Sequence, residues 1–76
     1  MKSQYLLGID TGGTYTDAVL FDETQGVVAK AKSLTTRHDL AVGISGAVDA
    51  VLRQADVPVS AISLVSLSTT LATNAL

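Results

Sequence analysis

The residues best suited to chemistry in this 76-residue chain are Asp10-Thr11-Gly12-Gly13-Thr14, set between two apolar runs. Two adjacent glycines remove side chains, so backbone N–H groups can close on anionic oxygens in a concave nest. Thr11 and Thr14 add hydroxyls. Asp10 would repel a phosphate, yet it can hold Mg²⁺, usually through water, because Mg²⁺ keeps most of its hydration. A carboxylate beside an anion cradle is the mark of a metal–nucleotide site. The same five residues also suit a plain hairpin turn in which Asp10 caps the loop amides. The loop alone does not separate these readings.

The two common nucleotide loops do not fit. Gly8 and Gly13 have the glycine spacing of a Walker A loop, but Thr14 stands where Lys is required and a strand follows instead of a helix. The glycines at 8, 12 and 13 do not spell Gly-x-Gly-x-x-Gly. A second polar group closes the sequence in Ser68-Thr-Thr-Leu-Ala-Thr-Asn-Ala-Leu76. Thr69, Thr70, Thr73 and Asn74 follow an expected parallel strand, and open α/β sheets place ligands at the carboxyl ends of such strands. Their hydroxyls and amide can bind phosphate or substrate at a helix start. They can equally cap that helix and decorate its surface. His38 is a lone loop histidine, read as solvated, and Asp49, Arg53 and Asp56 read as a solvated helix face.

The elements that must position these groups follow from periodicity. Residues 4–9 read as a strand buried on both faces, and residues 15–22 as a second strand. Asp22 to Gly26 is a turn ending in a glycine able to take positive φ. Residues 27–33 form a third strand, antiparallel to the second, with Lys30 and Lys32 on a solvated face. Thr36 and Asp39 fit a helix-capping pattern, or Asp39 is itself the cap. Leu40, Ile44, Ala47, Val48, Val51, Leu52 and Ala55 then make one helical stripe. Gly43 and Gly46 inside it each cost about 1 kcal/mol relative to Ala, a cost that close approach to a sheet would offset. Asp56-Val-Pro58 stops the helix. Residues 61–67 form a fourth strand, returning parallel to an earlier one. A second helix starts near residue 69 with Ser68 or Thr69 as its cap, and the sequence stops about two turns into it. Leu76 therefore reads as a fragment boundary.

Bulk composition sets the outer limits. The chain is 47% hydrophobic and 16% charged, too apolar for disorder by low hydropathy. It suggests a core expecting more partner surface than so short a chain offers, hence self-association of the piece alone. The formal net charge is −2, and Lys2, Lys30, Lys32, Arg37 and Arg53 are scattered, which argues against nucleic-acid binding. No cysteine is present, so disulfide frameworks and thiolate metal sites are excluded. No signal-like segment opens the sequence, and no apolar run approaches the ~20 residues needed to span a bilayer. The expectation is a cytoplasmic protein with no membrane partner.

With these residues in view, a family resemblance emerges. GIDTGGTYTD (residues 8–17) resembles the first phosphate loop of the actin, sugar-kinase and heat-shock-protein ATPase superfamily. GGTYTDAVLFD (12–22) and STTLATNAL (68–76) together resemble the amino-terminal segment of the hydantoinase/oxoprolinase family. KSLTTRHDLAVGI (32–44) resembles its Lys-x-x-Thr-Thr linker and helix start. Ser68 departs from the glycine usual there, which bears on close backbone contact at that point. The resemblance implies an α/β, partial ribonuclease H-like (actin-like ATPase) fold, with three antiparallel strands, a helix, a parallel fourth strand and the start of a second helix. Residues 1–76 would be the amino-terminal piece of the ATPase domain. It further implies Mg²⁺ and ATP as cofactors, and activation of a cyclic amide by phosphorylation before ring opening. Remaining domains or a second subunit would complete the site. On this resemblance Asp10 is the catalytic, metal-linked carboxylate. Thr11, Gly12, Gly13, Thr14, Thr69, Thr70 and Asn74 contact the cofactor, and Thr16 and Asp17 match the motif. Tyr15 flanks the loop, points outward or packs in the core. The first phosphate stretch also resembles N-acetylglucosamine kinases and the ATPase activators of radical dehydratases, which carry Lys where Tyr15 sits. A non-catalytic actin-like assembly or regulatory module is the remaining alternative.

Overall fold

The computed structural model describes residues 4–36 and 38–69. The chain forms β1 (Tyr5–Thr11), β2 (Tyr15–Asp22), β3 (Gly26–Leu34), helix α1 (Leu40–Ala55) and β4 (Ile62–Thr69), with a short 3-10 turn over Val59–Ala61. The sheet order is β3-β2-β1-β4. β2 is antiparallel to both β1 and β3, and β4 returns parallel to β1. This is the α/β arrangement the strand and helix signals predict. The expected second helix falls largely in residues 70–76, outside the described residues. β4 itself runs further than its predicted end at residue 67. Ser68 and Thr69, read as possible helix caps, are strand residues paired with Asp10 and Thr11, because β1 also extends past Ile9 and continues the ladder.

Local chemistry explains the turns. Asp22 Oδ1 accepts from the Thr24 N–H at 3.0 Å and the Thr24 hydroxyl at 3.2 Å, an Asx-type turn. Gly26, at φ 81°, closes it. The β2–β3 register shifts between Leu20 and Phe21, leaving Val28 as an extra residue, a bulge that periodicity did not reveal. At the helix start, Asp39 occupies the cap position but makes no side-chain capping bond. A backbone turn serves instead, with the Asp39 N–H donating to the Thr36 carbonyl at 3.0 Å. Asp56 ends the helix in the left-handed conformation (φ 57°), its N–H donating to the Leu52 and Arg53 carbonyls.

α1 lies mainly over β2 and β3. Its Ala47, Val51 and Leu52 meet Leu7, Ile9, Ala18, Leu20 and Ala29 in one core, flanked by Ile44, Val48 and Ala55, so the predicted stripe is the buried one. Both helical glycines mark close approach. A Cβ on Gly43 would sit 2.9 Å from the Leu34 carbonyl oxygen, and one on Gly46 would sit 3.0 Å from Ser33 Oγ. The opposite face of the sheet has no covering element among the described residues. β1 is therefore buried on one face only: Leu7 and Ile9 are buried, whereas Leu6 and Gly8 are half-buried, beside exposed Phe21 and Leu64. Among the described residues the expected burial on both faces is seen on one side only, the side that α1 covers. No described helix is long and apolar enough to cross a membrane.

Candidate functional site

The register carries four polar side chains into one row across the open face, next to the β1–β2 hairpin. Asp10 on β1 stands opposite Asp17 on β2. Asp17 stands opposite Lys32 on β3, and Asp10 beside Ser68 on β4. Ser68 Oγ lies 3.4 Å from both Asp10 Oδ1 and the Ile9 carbonyl oxygen. Directly opposed carboxylates on neighbouring strands destabilise a sheet, so the Asp10–Asp17 pair is a feature that folding alone does not favour. Below the row, Gly8 contributes no side chain. Its imagined Cβ would meet nothing nearer than the Val19 carbonyl at 4.0 Å. The result is a depression of about 200 Å³ lined by Gly8, Asp10, Asp17, Phe21, Ser66 and Ser68, among others.

The hairpin itself is held from the helix side. The Gly12 N–H donates to the Tyr15 carbonyl at 3.0 Å, and the Thr35 N–H donates to the Thr14 carbonyl at 2.8 Å. The Thr35 hydroxyl donates to the Gly12 carbonyl at 2.9 Å and lies 3.0 Å from Thr16 Oγ1. Among the described residues the Gly13 and Thr14 amides donate to no backbone carbonyl, and both residues are exposed. Two amides thus remain for an anion beside the carboxylate pair.

Of the predicted site residues, Asp10, Gly12, Gly13 and Thr14 gather at this end of the sheet. Thr11 is only 2% exposed and shares the helix-facing side with Leu7 and Ile9, so its backbone and not its hydroxyl is what it can offer a ligand on the open face. Thr69 pairs with Thr11 at the carboxyl end of β4. Thr70 and Asn74 lie outside the described residues. Tyr15 points outward: it is exposed, with Lys32 Nζ 4.9 Å from its ring centroid, a cation–π contact. His38 is exposed, as are Asp49, Arg53 and Asp56.

Residues 6–76 match the family model described as the hydantoinase/oxoprolinase N-terminal region. The chain belongs to the hydantoinase/oxoprolinase family. It is 43% identical over 79 residues to the caprolactamase subunit alpha of Pseudomonas jessenii, spanning 99% of this chain and 11% of that protein. In fold it is similar to the crystal structure of a putative N-acetylglucosamine kinase from Chromobacterium violaceum. The TM-score is 0.64 at 21% identity, covering 87% of this chain and 35% of the kinase. That likeness establishes the actin-like ATPase fold of this hydantoinase/oxoprolinase segment.

Within this family segment, two site features escaped sequence reasoning. One is Thr35, read as part of the polar linker into the helix. Its bonds run to Gly12, Thr14 and Thr16, between 19 and 23 residues away for the side-chain contacts, and nothing local signals such a partner. The other is Lys32, which is exposed on the face its spacing predicts and also falls in the row of Asp17. The period-2 spacing gave its face, while only the strand register gave its neighbour. Mg²⁺ suits the donor set. The described residues contain no group of three or more His, Cys, Asp or Glu able to hold a metal. A pair of carboxylates is the usual protein share of a Mg²⁺ site that fills its remaining positions with water and phosphate.

Proposed function

We propose that this chain is the amino-terminal phosphate-binding segment of an ATP-dependent, hydantoinase/oxoprolinase-type hydrolase acting on a cyclic amide. The observation carrying the proposal is the juxtaposition of the Asp10–Asp17 pair with the open amides of Gly13 and Thr14, at the carboxyl ends of β1 and β4. Family membership and the caprolactamase relative support the substrate class, since a lactam is a cyclic amide. The chain spans about a tenth of that relative's length, so the reading concerns a site completed by other parts of a longer protein or by a second subunit.

An amide carbonyl is a poor electrophile. ATP with Mg²⁺ would supply a phosphoryl group to the amide oxygen, releasing ADP. Water adding at the activated carbon would expel the ring nitrogen as the amine. A second water at the resulting acyl phosphate carbon would leave the carboxylate and release inorganic phosphate carrying the amide oxygen. In such chemistry a protein works chiefly by positioning and charge stabilisation. Asp10 is the metal-linked carboxylate, acting through water, with Asp17 opposite it sharing the cation's field. The Gly13 and Thr14 amides, with the Thr14 hydroxyl, bind phosphate oxygens, and the Gly12–Gly13 pair keeps side chains out of their way. Thr11 contributes through its backbone. By the family resemblance, Thr69, Thr70 and Asn74 are assigned further contacts to the cofactor.

In the full-length protein, Asp10→Ala should abolish substrate-dependent ATP hydrolysis; normal turnover sinks the assignment. Phosphorylation of the amide has its own test. Substrate carrying ¹⁸O in the ring carbonyl should pass that label to inorganic phosphate, and label retained wholly in the ring-opened acid refutes it.

A further inference from the structure

We propose that the Thr35 hydroxyl sets the orientation of the Gly12–Gly13 peptide, and so aims the Gly13 amide at a bound phosphate. Thr35 is a positioning residue in this role. The inference rests on reading residues 10–14 as a phosphate site.

The argument starts from proton counting. A threonine hydroxyl has one proton to donate. The Gly12 carbonyl can only accept, so the 2.9 Å contact uses the Thr35 proton. The 3.0 Å contact between the two hydroxyls must then be donated by Thr16. The chain of donors runs from Thr16 through Thr35 to the Gly12 oxygen. Its origin is rigid, since Thr16 is 0% exposed. Its middle is fixed a second time by the Thr35 N–H on the Thr14 carbonyl at 2.8 Å. Thr35 therefore grips the hairpin at two carbonyls, on either side of Gly13.

Peptide geometry turns that grip into direction. In a trans peptide the C=O and N–H point opposite ways, and the described chain has no cis peptide bond. The Gly12 oxygen drawn towards Thr35 sends the Gly13 N–H away from it, out of the buried layer. Glycines on both sides make this peptide easy to rotate, so without the hydroxyl its direction is unset. α1 reinforces the arrangement: Gly43 lets the helix approach Leu34, Thr35 and Thr16 so closely that its missing Cβ would lie within 3.5 Å of all three.

The test compares ligands with and without phosphate in the full-length protein. Thr35→Val keeps the shape and removes the hydroxyl; Thr35→Ser restores it. The probes are Mg-ATP and adenosine, with dissociation constants measured by calorimetry. Thr35→Val should weaken Mg-ATP by about tenfold, the scale of one hydrogen bond to a charged group, and leave adenosine within twofold. Thr35→Ser should recover Mg-ATP binding. Equal losses for both ligands would show a general structural role and overturn the proposal, as would unchanged Mg-ATP binding. If the valine variant does not fold, hydrogen exchange on the wild type decides. Mg-ATP but not adenosine should slow exchange at Gly13, and no slowing with nucleotide bound overturns the proposal. A wild-type protein that binds no Mg-ATP at all refutes the phosphate-site reading itself, which is a different outcome.

Discussion

Replacing Gly43 by Ala tests the link between helix packing and the loop. In an exposed helix the change stabilises by about 1 kcal/mol. Here the new Cβ would lie 2.9 Å from the Leu34 carbonyl oxygen, roughly half an ångström short of ordinary van der Waals contact. The obstacle is backbone, paired in β3, and it cannot rotate aside. Overpacking of this kind costs about 1–3 kcal/mol, so the net expectation is a destabilisation of about 1 kcal/mol. Gly46→Ala is the control. Its Cβ would meet Ser33 Oγ at 3.0 Å, the end of a side chain that can change rotamer, so the propensity gain survives and stability stays level or rises. Hydrogen exchange over α1 in the full-length protein reads both. Gly43→Ala should speed exchange about fivefold and Gly46→Ala should not. A displaced Leu34–Thr35 segment should also lengthen the Thr35–Gly12 bond and weaken Mg-ATP binding in the first variant only. Equal behaviour of the two alanines, or a stabilised Gly43→Ala, would refute the reasoning.

Four further outcomes are expected. Asp10→Asn removes one of two opposed charges, so the melting temperature should hold or rise, by about 0.5 kcal/mol of stability, while Mg-ATP turnover is lost; a marked fall in melting temperature would make Asp10 structural. Gly26→Ala should cost about 1 kcal/mol from the left-handed backbone alone, because nothing lies within 4 Å of the added Cβ, and Gly26→Asn should cost less; equal effects in unfolding titrations would contradict this. The 76-residue chain by itself exposes Leu64, Val65 and Leu67 along β4, so it should self-associate in sedimentation, with Leu67→Lys reducing association. The isolated chain should also lack a low-micromolar affinity for ATP.

How much was legible beforehand varies by element. The α1 stripe, the Asp22–Gly26 turn and the helix stop at Asp56 were readable because each depends on neighbours within a turn or two of chain. The glycines at 43 and 46 announced a close approach, since their helix cost needs an offset. The bulge at Val28 and the extension of β4 through Thr69 were not readable, because each is decided by a partner strand. The capping bond expected near Asp39 was replaced by a backbone turn, an alternative that composition cannot distinguish.

The sequence by itself determined the strand and helix order, the glycine loop with its carboxylate, and the family, all of which reside in local periodicity and contiguous motifs. Only the tertiary structure decided which residues share the site. Sheet register set Asp10 against Asp17 and Ser68, and the helix-side packing brought Thr35 onto Gly12 from 23 residues away. It also separated Thr11 from its neighbours, turning its hydroxyl inward. The physical reason is the pleat: adjacent residues in a strand face opposite ways, and which partners they meet depends on pairings that no single segment encodes.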